Sequence, residues 1–301
     1  MRRAAQLVFP GRVSPAVRRV LWLALPLLAV LALALATGGA GAAPGASEAV
    51  VKDPNPCFAP LAANLRCPDL VMRRPYGLRV DRRTRRGRSL LRAGNSIDSV
   101  GAGPAELRGR RASRRFMNAV QSIYTRAGRR LTYRTGARLQ FKFAHANRSY
   151  WKFYRAASFS LWRLDSEGKR TRRVRTGPKI AYCLRDLSHT KPRLARSPRR
   201  RVYPACNTNP RQRRVVLGTS VGWSDVYPPS YPEQWIDVTG LRGCFAYQHT
   251  ADPRNWIHES NEANNRSTVT VRLPFRKRGA RRCPGQGSGS TAPAPAPADG
   301  Y

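Results

Sequence analysis

Outside one apolar run near its N-terminus, the chain has almost no helical periodicity sustained over ten or more residues. Its apolar residues come instead in short runs alternating with polar ones, the period of a strand with one face buried. Residues 117–124, 245–249 and 268–273 alternate cleanly, and 76–80, 90–94, 105–108, 159–164, 180–184 and 234–238 read as further short strands. Residues 95–104 are rich in turn formers and read as a break after the strand at 90–94. Residues 141–161, FKFAHANRSYWKFYRAASFSL, read as two aromatic-rich strands around a short crowded turn. Such a pattern predicts a mainly β chain, a sandwich-like body with long loops.

The apolar run, residues 20–36, follows Arg2, Arg3, Arg12, Arg18 and Arg19 and precedes Ala40-Gly41-Ala42. A basic start, an uncharged apolar stretch and a small-x-small site make residues 1–42 an expected export signal. Contact with a membrane is expected only if that signal stays uncleaved, since its apolar run is barely long enough to span. The reading places a leader at 43–64, the domain at 65–284, and a flexible Pro/Ala/Gly/Ser tail at 285–301. The destination is outside the cell, secreted or held at the cell surface. Six cysteines in an exported chain predict three disulfides with their connectivity open, and Cys57 and Cys67 are spaced to close a small loop.

The formal charge is +40, and only seven of the 56 basic residues are lysines. A codon bias toward arginine accounts for this without function. The functional reading is binding to anionic wall or extracellular polymers. No helix-turn-helix, zinc finger or stacking platform accompanies the charge, which argues against a dedicated nucleic-acid binder.

Four segments together resemble the bacterial branch of the lysyl oxidase family. They are residues 94–109 (GNSIDSVGAGPAELRG), 177–186 (GPKIAYCLRD), 218–240 (GTSVGWSDVYPPSYPEQWIDVTG) and 251–265 (ADPRNWIHESNEANN). The resemblance implies a β-sandwich-like catalytic-domain fold and a secreted copper amine oxidase that turns primary amines, including peptidyl lysine, into aldehydes. It also implies a lysyl tyrosylquinone cofactor made from two residues of the chain in the presence of copper. By position those residues are Lys179, four before Cys183, and Tyr227, seven before Gln234.

The copper motif departs from the family pattern H-x-H-W-H. Its counterpart is Arg148-Ser149-Tyr150-Trp151-Lys152, which has no histidine at any of the three ligand positions. Alternate residues of a strand share a face, so Arg148, Tyr150 and Lys152 are expected to converge where three imidazoles would hold copper. Arginine offers no lone pair and lysine is a cation near neutral pH. His145 lies three residues upstream, and His189, His249 and His258 belong to other segments. The expectation is a degenerate domain serving as scaffold or binder of anionic polymers. The alternative is a copper-dependent amine oxidase with a rearranged copper site. The family also implies a calcium site, here Asp69, the Leu70 carbonyl, Glu259, Asn261, Asn264 and Asn265, an oxygen-only set suited to a hard cation.

Overall fold

The computed structural model describes residues 52–58, 60–144, 148–275 and 283–284. The expected signal, the first part of the leader, His145 and the tail lie outside the described residues. In chain order the strands are β1 (Leu65–Arg66), β2 (Leu70–Met72), β3 (Tyr76–Asp81), β4 (Leu90–Ser99), β5 (Ala105–Arg111) and β6 (Phe116–Thr125). They continue as β7 (Arg130–Phe143), β8 (Ser149–Tyr154), β9 (Ala157–Leu164), β10 (Arg170–Thr176) and β11 (Ala181–Tyr182). The last are β12 (Arg214–Thr219), β13 (Ser224–Tyr227), β14 (Trp235–Asp237), β15 (Gly243–Ala251) and β16 (Arg266–Leu273). The protein is mainly β, as its alternation predicts.

The strands form three antiparallel sheets. One runs β11-β8-β7-β6-β5-β12, with β1 on β6; a second runs β10-β9-β15-β16. The third is built around β4, which pairs with β13 and β2 along one half and with β3 and β14 along the other. Leu107, Leu139 and Phe153 of the first sheet, Phe159, Phe245 and Tyr247 of the second, and Leu91, Ile97 and Ile236 of the third share one core.

Strand β4 corrects the turn expected at 95–104. The strand runs on through Ser99, with every residue buried. Its polar side chains are tolerated because they have partners: Gln234 donates to Asn95 at 2.9 Å, Ser96 to Asp98 at 2.6 Å, and Arg73 pairs with Asp98 at 2.5 Å. Only from Val100 does the chain turn, and there space is the constraint. A Cβ on Gly101 would be driven into the backbone of Cys67, Pro68 and Asp69. Gly101→Ala is therefore expected to cost about 1–3 kcal/mol, as overpacking does. An unchanged denaturation midpoint would refute the close approach.

The stretch 141–161 holds parts of three strands, not two. β7 and β8 form the expected hairpin, with Phe141 opposite Trp151. The chain then crosses to the second sheet as β9, through Arg155 in the left-handed region (φ 56°). Three disulfides close, as an even cysteine count predicts: Cys57–Cys67, Cys183–Cys206 and Cys244–Cys283.

Candidate functional site

Lys179 lies in a segment with little regular structure of its own, the expected strand at 180–184 being only the two residues of β11. Other ties hold it. Gly177 N–H donates to the Phe159 carbonyl at 2.9 Å, and Cys183 is bonded to Cys206. Asp186 accepts from Val202 N–H at 2.8 Å and from Ser220 N–H at 2.7 Å. Tyr227 ends β13, with its backbone opposite Asn95 of β4. Its hydroxyl accepts the Cys183 N–H at 3.2 Å, which joins the lysine segment to the tyrosine strand.

The two residues singled out by the resemblance are thereby in contact. Lys179 Nζ sits 4.2 Å from the Tyr227 ring centroid, 4.2 Å from that of Tyr231 and 4.8 Å from that of Tyr182. Lys179 is 0% exposed and Tyr227 3%. Among the described residues Lys179 Nζ has no hydrogen-bond partner. Burial first, and then the charge of Lys152, hold its pKa well below the usual lysine range, so the amine is driven toward neutrality. Burial raises the Tyr227 hydroxyl well above the ordinary phenol.

The copper positions do not converge as expected. Arg148 precedes β8, is exposed, and lines a surface depression with Phe141, Ser149 and Thr208. Tyr150 and Lys152 do come together, with Lys152 Nζ 5.1 Å from the Tyr150 ring centroid. Lys152 is buried, and burial pushes its pKa down to about 8, the nearby Lys142 adding to the fall and Glu233 opposing it. Lys142, opposite Tyr150 across the hairpin, donates to Glu233 at 2.8 Å. A buried lysine thus stands where the resemblance expects a histidine, with Lys142 and Lys179 close enough to act on its charge or feel it.

These residues do not fit copper. Lys152 is a buried lysine with its pKa lowered to about 8 by burial, Tyr150 is a lone oxygen donor, and Arg148 is exposed. Among the described residues no three histidine, cysteine or acidic side chains close on one point. His249 stacks on Phe159 at 3.9 Å and is pushed down to about 3 by burial, while His189 stacks on Trp223 at 4.3 Å. Neither belongs to the β7–β8 hairpin.

Sequence reasoning missed Asp225. It lies two residues before Tyr227 on the same strand face, is fully buried, and its carboxyl is pushed up to about 7 by burial, against the charges of Arg185 and Lys179. All four residues of the strand are buried, so no alternation marked Asp225 in the sequence. Lys142 and Glu233 were missed too; the rarity of lysine marks Lys142.

The calcium candidates are mostly gathered. Asn264 donates to Asp69 at 2.7 Å, Asn265 to Glu259 at 2.8 Å, and Leu70 N–H donates to the Glu259 carboxylate. Leu70 thus meets the cluster through its N–H. Asn261 stands apart: it is exposed, and its side-chain oxygen accepts the Ala263 N–H at 3.0 Å. Two acids join that were not expected, Asp252 and Glu262, the latter 3.3 Å from Asn265 Nδ2. Burial first, and then the Asp252 charge, raise Glu259 well above the usual carboxylate range; burial takes Asp252 to about 7. One oxygen each of Asp252, Asn264 and Asn265 is buried without a hydrogen-bond partner. Carboxyls thus crowd beside unpartnered amide oxygens, although among the described residues no three acidic side chains are grouped closely enough to hold a metal ion.

No curated protein matches the chain. The sequence model of the family described as Lysyl oxidase matches residues 91–283, a span that takes in the β7–β8 hairpin, Lys179, Tyr227 and the acidic cluster from Asp252. That match covers well over half of the chain, and with the lysine–tyrosine contact in place the chain belongs to the lysyl oxidase family.

Proposed function

We propose that this is a secreted lysyl oxidase-family domain that has lost copper and with it amine oxidation, and that acts outside the cell as a scaffold and binder of anionic polymers. The observation that carries the reading is Lys152, a buried lysine at a ligand position beside an exposed Arg148. Family members take copper to activate oxygen and a quinone to capture the amine. Here the local positive charge comes from lysines. The framework is kept, and the three disulfides suit an oxidising compartment.

The second reading, an amine oxidase with a rearranged copper site, is favoured by one fact: Lys179 and Tyr227 touch. Metal content separates the two. Protein produced with copper is expected to hold no copper above background and to give no quinone redox stain. About one copper per chain with a positive stain, as a family member that builds its quinone would give, overturns the first reading.

The same reading gives the acidic cluster a calcium ion as a structural tie. Asp69, Asp252, Glu259, Asn264 and Asn265 would hold it, linking the start of the domain to the turn before β16. The unpartnered oxygens of Asp252, Asn264 and Asn265 support this.

A further inference from the structure

On the side of the first sheet where β5 pairs with β12, five arginines surround one depression. Arg110, Arg111 and Arg114 come from the end of β5 and the turn after it, and Arg213 and Arg214 from the start of β12. The depression has a volume of about 530 Å³ and no acidic residue in its lining. Arg110 and Arg214 are directly opposite in the ladder. Like charges in that position destabilise a sheet. Five other arginines among the described residues have an acid partner, among them Arg73 with Asp98, Arg92 with Asp81 and Arg108 with Glu106. None of the ion pairs among the described residues includes any of the five around the depression.

The cluster is also held in place. Arg111 N–H donates to the Arg213 carbonyl at 2.9 Å. Its guanidinium donates to the Pro210 carbonyl at 2.6 Å and the Gln212 carbonyl at 3.1 Å, which ties the two arginine-bearing segments together. Arg110, Arg114, Arg213 and Arg214 remain exposed around it.

We infer that this depression binds a flexible phosphodiester polymer without bases, of the kind found in cell walls, the exposed fork-shaped guanidiniums of Arg110, Arg114, Arg213 and Arg214 taking its phosphates. The lining has no aromatic residue, so a single-stranded nucleic acid would find nothing to stack on. The inference deepens the binding half of the proposed function by giving it a place and a ligand class.

The test uses the full chain and a fluorescent poly(glycerol phosphate) decamer, with a single-stranded DNA decamer as the competing arm. The double variant R110Q/R214Q is compared with R172Q/R175Q, which removes the same charge from exposed positions on β10. The first is expected to weaken polymer binding about tenfold or more, the worth of one charge-assisted contact or better. It should also flatten the salt dependence by about 1.4 in the log–log slope, two contacts at ~0.7 each. The second should change binding far less. Equal losses in the two variants, no binding at all, or tighter binding of DNA would each overturn the proposal. The copper result is independent of all of these, so failure here leaves the copper-free reading standing.

Discussion

Replacing Lys179 by methionine is expected to make the protein more stable. The wild-type amine is fully buried against three tyrosine rings, without a hydrogen-bond partner among the described residues. Burying an unpaired polar group costs about 1–3 kcal/mol on mutational scales. Methionine keeps the unbranched stem and removes that cost. For a domain of this size the gain corresponds to a rise in Tm of roughly 3–10 °C.

The pH dependence supplies a signature that simple repacking lacks. A lysine whose folded pKa is depressed contributes stability above its unfolded value, the ordinary 10.5, and that stability is lost as pH falls through the folded pKa. The advantage of K179M over wild type should therefore be smaller near pH 10 than at pH 7, where the cost of the lowered pKa adds to that of the unpaired amine. Thermal unfolding of the two proteins across that range measures it. If Lys179 is instead joined to Tyr227 in a quinone, the substitution removes a cross-link and stability falls. A fall would argue for the second reading, in which this lysine is part of a working cofactor.

Single-sequence patterns register such a buried group only in part. Period-2 alternation made the β class legible, as did the hairpin at Phe141 and Trp151, because one buried face imposes the pattern. It failed at β4, where strands on both edges bury Asn95, Ser96 and Asp98, and polar residues that find partners inside a sheet look like turn formers from outside. It passed over most of β7, whose outer face carries arginines and whose run is interrupted by Gly136 in the left-handed region (φ 77°). The contact of Lys179 with Tyr227 was legible through the resemblance alone, since one sits in a segment tied by a disulfide and the other on a strand. Convergence of Arg148 with Lys152 was expected from strand geometry; the Arg148 carbonyl still accepts the Ala144 N–H across the hairpin, but Arg148 is exposed where Lys152 is buried. Asp252 was not singled out as part of the acidic cluster because nothing in a sequence shows which carboxylate oxygen will lack a donor.

Those unpartnered oxygens give the second large effect. Calcium at about a hundred times its Kd should stabilise the fold by about 2.7 kcal/mol, roughly 5–10 °C in Tm, and a calcium chelator should reverse it. The sign of an Asp252→Asn substitution then depends on the ion. Without calcium, the variant relieves the crowding of Asp252 against Glu259 and Glu262, and it should unfold at a temperature equal to or above that of the wild type. With calcium, the wild type gains the full increment while the variant, short of one anionic oxygen, gains little. The two melting curves should therefore exchange order when the ion is added. Arginine-rich chains shift in Tm with ionic strength, so magnesium at equal concentration is the control, a smaller ion that demands stricter octahedral geometry. A wild-type Tm that ignores both calcium and chelator would leave the cluster with buried carboxyls kept protonated, an acidic core without an ion, and the tie between Asp69 and Asn264 would rest on their hydrogen bond alone.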